Sequence, residues 1–270
     1  MKKINLIVGY GEIGKAIKSL YKDQKNVEVW DQNPKLRKYD HSVLIGNEDN
    51  VNCLHICFGC VDKQKYISEV LKYMELVYPK FVILHSTIPV GTTREIYNRW
   101  KIQPFNTRGF VIAHSPCMGK HPNLKKSIGE YFTKYYGVLP NSEKSVNTIR
   151  DIFILDMKIC SIKNFRNPES TELAKVLSTT EYAHHIAIAT EFERLCKAYK
   201  VSYDEVYTKW RRNYNEGYVE MGYPHFIRPV LAPCPDKILG HCVKQNIVLI
   251  KKFMKKTWLT NLIPKRLLGK

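Results

Sequence analysis

Short apolar runs alternate with helical periodicity through roughly the first 160 residues, the pattern of strands wrapped by helices. Ile4–Val8 is the first buried run, and a helix reaching about Tyr21 follows it. Val27–Trp30 and residues 53–58, 81–85 and 109–114 read as further strands, with helices over 62–78 and 91–100 between them. A helix over 142–155 and a strand over 157–162 complete the alternation. Such a succession predicts an α/β fold, a Rossmann-type doubly wound parallel sheet.

The character changes near residue 165. Pro168-Glu169-Ser170-Thr171-Glu172 places proline and acids where a helix N-terminus favours them. No Gly or Pro interrupts the chain from there to Tyr199, so one helix of roughly 30 residues is predicted. A shorter helix over 203–211, a Gly/Pro-rich stretch over 217–240 and basic helical segments follow. The expected division is a Rossmann domain over 1–165 and an all-α domain, central or dimerising, over 166–270.

Between the first strand and its helix lies Gly9-Tyr10-Gly11-Glu12-Ile13-Gly14. A GxGxxG signature there permits a tight turn at Gly9, approach of a pyrophosphate to the backbone at Gly11, and close helix–sheet packing at Gly14. The phosphates then face the free amides of the helix N-terminus, with Tyr10, Glu12 and Ile13 completing the loop. Asp31 closes the second strand 22 residues after Gly9, where a carboxylate accepts ribose hydroxyls and repels a 2′-phosphate. No Arg follows until Arg37, so NAD is expected rather than NADP. Phe58 ends the third strand where such a cofactor passes.

Composition adds two constraints. Forty-three Lys and Arg against 25 Asp and Glu leave a net charge of +18, with eight basic residues and no acid over 244–270. No zinc-finger, RNP or KH signature accompanies that charge, so a solvated surface is expected and no nucleic-acid partner. Residues 251–270 interleave Lys pairs with Phe253, Trp258, Leu259 and Leu262, a mixture open to contact with an anionic membrane surface or to packing on the domain. Eight scattered cysteines in a chain this long read as reduced thiols, and Met1-Lys2-Lys3 leads straight into a strand, so a cytoplasmic protein without signal peptide is expected. Cys57-x-x-Cys60 has no second close pair and reads as structural, and His184-His185 lacks a carboxylate motif, so no metal site is predicted.

His85-Ser86-Thr87-Ile88-Pro89-Val90-Gly91-Thr92-Thr93 leaves a strand and enters a helix at the carboxyl edge of the sheet, where ligands bind in this fold. With the glycine loop, Glu172-Leu173-Ala174-Lys175 and Gly240-His241-Cys242, this turn resembles the nucleotide-sugar dehydrogenases, the UDP-glucose and GDP-mannose dehydrogenase family. His114-Ser115-Pro116 is a looser match. The resemblance covers about 250 residues and implies a form without the family's third, nucleotide-sugar-binding domain. It implies NAD as cofactor, a sugar or nucleotide sugar as small-molecule substrate, and a homodimer built on the long helix. It also implies two hydride transfers through a thioester on Cys242, with Lys175 stabilising the oxyanion, Thr87 positioning a water or hydroxyl, and Ser86 beside it.

Three positions depart from the family pattern. Cys117 stands where the family has Glu, Thr179 where it has Asn, and Asn246 where it has Asp. Losing two carboxylates removes groups expected to manage protons, so thioester hydrolysis is expected to be slow. The competing readings are a β-hydroxyacid-type dehydrogenase, which also carries a helical lysine but needs no catalytic Cys, and a catalytically impaired NAD-binding protein. Arg211, Arg212 and Arg228 are candidates for bidentate contact with phosphate or carboxylate, or plain surface charges.

Overall fold

Successive side chains of a strand point to opposite faces, so the short continuous apolar runs become strands buried on both faces. In the computed structural model, which describes residues 3–36, 51–103, 109–119, 122–234, 243 and 246–250, they form one seven-stranded sheet. The strands are β1 (Ile4–Val8), β2 (Val27–Trp30), β3 (Val51–Ile56), β4 (Phe81–Leu84), β5 (Val111–His114), β6 (Lys134–Leu139) and β7 (Ile162–Asn164). Their order is β2-β1-β3-β4-β5-β6-β7. All neighbours run parallel except β5 and β6, which pair antiparallel through Ile112 with Leu139 and His114 with Gly137.

Helices cover both faces. The first are α1 (Glu12–Leu20), α2 (Lys63–Val77), α3 (Thr92–Lys101), the short α4 (Leu124–Lys126) and α5 (Glu143–Asp151). Leu6, Val8, Leu54, Ile56, Val82 and Leu84 point to one side and pack with Ile67, Val70 and Met74 of α2 and Ile96 and Trp100 of α3. Ile7, Val29, Ile83 and Ala113 point to the other and pack with Ile17 and Leu20 of α1 and Ile149 of α5. This is a doubly wound Rossmann-type sheet. Its order reverses between β1 and β3, and the carboxyl ends there splay apart to leave a crevice.

The sequence pattern did not reveal β6. Lys134 occupies a fully buried position at its start, and a charge there masks the apolar alternation. The strand expected over 157–162 is reduced to an isolated bridge from Met157 to Tyr21, and β7 begins only at Ile162. The helix expected to end near 211 instead continues as α7 (Trp210–Glu220), passing through Gly217.

The chain separates into two compact units, 1–175 and 176–270. One uninterrupted helix, α6 (Pro168–Tyr199), belongs to both and spans 32 residues. Among the described residues the second unit is helical. Ala183 and Ala187 of α6 pack with Val243 and Ile247 in a small apolar cluster. Tyr203 stacks with Tyr207, and Trp210, Tyr214 and Tyr218 form a second run of neighbouring rings along α7.

Candidate active site

The β1–α1 turn is held by backbone geometry that excludes side chains at two points. Gly9 has φ +91, and a Cβ there would lie 2.7 Å from the Phe58 amide nitrogen. A Cβ on Gly14 would lie 2.0 Å from the Gly9 carbonyl oxygen. Both positions therefore demand glycine. Gly11 differs: nothing lies within 4 Å of its would-be Cβ, so the turn opens there onto free space at the N-terminus of α1. Glu12 and Ile13 begin that helix, Glu12 exposed and Ile13 half-buried against the core.

Asp31 stands beside this turn. Its carboxylate accepts the Tyr10 amide at 2.6 Å and the Asn33 amide at 2.8 Å, one on each oxygen. Each oxygen retains a lone pair for a further donor. A cavity of about 450 Å³ opens at the crevice, lined among others by Gly9, Asp31, Phe58, Lys65, Glu69 and Tyr73. Its apolar wall is Phe58, in tilted contact with Tyr66 and Tyr73. The dimensions and chemistry fit an adenosine: a carboxylate for the ribose, an aromatic wall for the base, and glycine-lined space for phosphates.

The turn after β4 is braced from two sides. Ser86 donates its hydroxyl to the Phe58 carbonyl, tying it to the end of β3. His114 contacts the Ser86 carbonyl through Nε2 at 3.0 Å and Thr171 Oγ1 through Nδ1 at 2.8 Å. A carbonyl only accepts, so Nε2 carries the proton and Nδ1 receives the Thr171 hydroxyl. Burial pushes the His114 pKa down to about 3, which keeps that ring neutral. Thr87 follows, half-buried at the carboxyl edge.

Glu172 is the second brace. Helix α3 starts at Gly91, which has no side chain to cap it. The buried Glu172 carboxylate supplies the cap from α6, accepting the Gly91 amide at 2.6 Å, the Thr93 amide at 2.9 Å and the Thr93 hydroxyl at 2.6 Å. Two helices distant in sequence are thereby locked together, and the Gly91-Thr92-Thr93 sequence is explained by the fold alone. Burial raises the Glu172 pKa despite these donors. Glu172→Gln keeps only one carbonyl oxygen and turns an NH2 towards backbone donors. It is expected to cost about 1–2 kcal/mol in urea unfolding and to leave the overall secondary structure unchanged.

One turn along α6 from Glu172, Lys175 donates from Nζ to the Cys117 carbonyl at 2.8 Å. A second lysine grips the same segment from below. Lys134 Nζ donates to the carbonyls of Ser115 at 2.6 Å and Pro116 at 3.2 Å, and lies 3.5 Å from Cys117 Sγ. The 115–117 turn thus sits between two ammonium groups. Lys134 is fully buried and its pKa is pushed down by desolvation, with Cys117 opposing that shift.

The structure gathers Gly9, Asp31 and Phe58 around one crevice, ties the Tyr10 amide to Asp31 and Ser86 to Phe58, and seats Lys175 on the 115–117 turn; Gly11 opens onto free space at the N-terminus of α1. Thr179 is half-buried on α6 and Asn246 is buried, both in the second unit. Cys242, with Gly240, His241 and the 251–270 segment, lies outside the described residues. Arg211 lies over the Tyr207 ring at 4.8 Å and Arg228 over the Tyr214 ring at 5.0 Å, cation–π positions in the second unit. Sequence reasoning missed His55, Lys134 and Thr171. A faint signal existed for His55, a lone imidazole inside the apolar run Cys53-Leu54-His55-Ile56.

No protein-family model matches the sequence, and no curated protein matches it. Solved structures match by fold. The UDP-D-ManNAc dehydrogenase of Pyrococcus horikoshii superposes with a TM-score of 0.71 at 20% identity, over 98% of this chain and 68% of that one. A UDP-glucose dehydrogenase from Pyrobaculum islandicum gives 0.70 at 16%, over 100% of this chain and 68% of its own. The 3-hydroxyisobutyrate dehydrogenase of Mycobacterium tuberculosis gives 0.65 at 15%, over 97% and 91%. The fold is that of the Rossmann-type dehydrogenases. At these identities the likeness is one of architecture. Among the described residues, no helix is long and apolar enough to cross a membrane.

Proposed function

We propose that this chain is an NAD-dependent oxidoreductase acting on a CH–OH group of a sugar or nucleotide sugar. The observation that carries the reading is the crevice at the β1–β3 reversal, where a turn demanding glycine at 9 and 14 and open at 11 meets the Asp31 carboxylate. Gly9 to Gly14 would hold the pyrophosphate, Asp31 the adenosine ribose, and Phe58, Ser86 and Thr87 the path towards the nicotinamide. When bound, that cofactor supplies the hydride acceptor. Asp31 and Glu69 both line the cavity, and two carboxylates there disfavour a 2′-phosphate.

In this reading Lys175 stabilises negative charge developing on the substrate oxygen, and Thr87 orients the hydroxyl or a water. Cys242 is the nucleophile that captures the aldehyde for a second oxidation, and Thr179 and Asn246 offer hydrogen bonds in place of the family's Asn and Asp. Neither can act as a general base, so release of the acid is slow or passes to another group. The chain works as a homodimer in the cytoplasm, with a domain boundary near 165. A second reading, a β-hydroxyacid dehydrogenase, is supported by Cys117 and Asn246 standing in place of carboxylates.

The test is to follow NADH with a panel of nucleotide sugars, sugar phosphates and hydroxyacids, beside calorimetric titration with NAD and NADP. NAD is expected to bind at least about tenfold more tightly than NADP, a difference of ~1.4 kcal/mol. Two NADH per substrate, abolished in Cys242→Ser, are expected from a nucleotide sugar. One NADH with Cys242→Ser fully active selects the hydroxyacid reading. NAD binding without any NADH leaves a binding protein, and absence of NAD binding ends the proposal.

A further inference from the structure

A chain of hydrogen-bonded titratable groups crosses the sheet from its carboxyl edge to its amino edge. It begins at Cys117 Sγ, 3.5 Å from Lys134 Nζ. Lys134 Nζ lies 3.4 Å from His85 Nδ1, and His85 Nε2 lies 2.9 Å from His55 Nδ1. His55 Nε2 then lies 2.6 Å from the Tyr21 hydroxyl. Tyr21 lines a cavity of about 280 Å³ together with Asn5, Asn26, Asn52 and Asp156. Lys134, His85, His55 and Tyr21 are each at most 3% exposed. A run of five such groups in a sheet interior is far more than packing requires.

We propose that Cys117, Lys134, His85, His55 and Tyr21 form a proton relay that connects the candidate active site to the cavity beside Asp156. The assignment of this relay to catalysis rests on the dehydrogenase reading above; the path itself does not. Each hydride taken from an alcohol leaves one proton, and the carboxylate that the family pattern places at position 117 is missing. The Cys117 sulfur takes that proton as its own passes to Lys134. Lys134 gives one to His85 Nδ1, His85 passes one from Nε2 to His55 Nδ1, and His55 passes one from Nε2 to the Tyr21 oxygen. Tyr21 releases its own to Asp156 or to water in the cavity, and Lys134 recovers a proton from the Cys117 thiol. One proton enters and one leaves, and both imidazoles end with their proton on Nδ1; return of each ring to the Nε2–H tautomer resets the path for the next turnover.

The direction follows from the chemistry of the donors. Two Lys134 protons go to the Ser115 and Pro116 carbonyls; the third is shared between Cys117 Sγ and His85 Nδ1, and when it lies on His85 it makes Nδ1 the acceptor and places the His85 proton on Nε2. The same reasoning orients His55 towards Tyr21. Burial and the Lys134 charge hold the His55 pKa down to about 3 and the His85 pKa well below its ordinary value. Neutral imidazoles carry one donor and one acceptor, the state a relay needs. Asp156, whose carboxyl is raised by desolvation, is a fitting terminal acceptor. His114 flanks the path but is committed to Ser86 and Thr171. Cys53 and Cys57 lie near it, and burial raises both thiols.

Solvent exchange of the His55 and His85 ring N–H protons in the full-length 15N-labelled protein tests the path without substrate or cofactor. Backbone amides of Leu54 and Ile83, buried on the same strands, report ordinary opening. Tyr21→Phe deletes the exit hydroxyl. The relay predicts that ring exchange slows at least about tenfold while the amides keep their rate or exchange faster. If ring protons reached water only by opening of the fold, rings and amides would accelerate together, and that result overturns the relay. Should Tyr21→Phe fail to fold, His55→Gln breaks the path one step earlier, and the His85 ring proton is compared with the Ile83 amide in the same way. Where NADH turnover is found, Tyr21→Phe lowers kcat and leaves KM unchanged; an unchanged kcat removes the catalytic role while the exchange result stands.

Discussion

Between pH 7 and pH 5 the protein is expected to lose about 4 kcal/mol of folding stability. The cause is imidazoles buried without a carboxylate. His55 and His114 have folded-state pKa values near 3, against 6.5 in an unfolded chain. Desolvation dominates both, and the Lys134 ammonium adds to it. A base whose pKa is depressed by folding binds fewer protons folded than unfolded, so its contribution is complete above pH 6.5 and is lost as the pH falls towards 3. At pH 5 each has forfeited about 2 kcal/mol. His85 is shifted in the same direction. Glu172 opposes them, since its raised carboxyl pKa makes the folded state gain protons as the solution is acidified. Against a typical total of about 5–15 kcal/mol, the net loss is large. Urea midpoints at pH 7, 6 and 5 measure it, and His55→Gln should recover nearly half. A midpoint that holds or rises on acidification would contradict the assignment of neutral buried rings.

Gly14→Ala and Gly11→Ala are expected to fail in different ways. Alanine normally stabilises a helix by about 1 kcal/mol over glycine. At Gly14 that sign reverses, because the added methyl would sit 2.0 Å from the Gly9 carbonyl oxygen and 3.1 Å from its carbon. Those are backbone atoms in a turn pinned by Gly9 N to Trp30 O at 2.9 Å. The helix must move off the sheet, at a cost of about 2–3 kcal/mol, and the crevice distorts with it. Gly11 has ordinary backbone angles and open space around it, so its alanine variant should unfold at an unchanged urea midpoint. Its methyl nevertheless occupies the space assigned to the pyrophosphate, and NAD should bind at least about tenfold more weakly. Calorimetry beside urea unfolding separates the two. Equal NAD affinity in Gly11→Ala and the parent would remove the cofactor from this turn.

The chain order of apolar runs by itself determined the α/β architecture, the glycine turn and the long helix from Pro168. These features depend on local periodicity and on residues adjacent in sequence, which a one-dimensional pattern retains. It also singled out Glu172 and Lys175, though without their partners. Only the tertiary structure decided that Glu172 caps a helix that begins about 80 residues earlier, because its donors at Gly91 and Thr93 are remote in the chain. The same holds for β6. Lys134 looks like one surface lysine among many until the fold buries it against Ser115, Pro116 and Cys117. Charge in a sequence predicts exposure, and a buried charge reverses that expectation only through hydrogen bonds between strands far apart in the chain. The histidines follow the same rule: one imidazole in, or directly after, each of three apolar strands says little singly, and His55 meets Tyr21 and His85 only when the sheet closes.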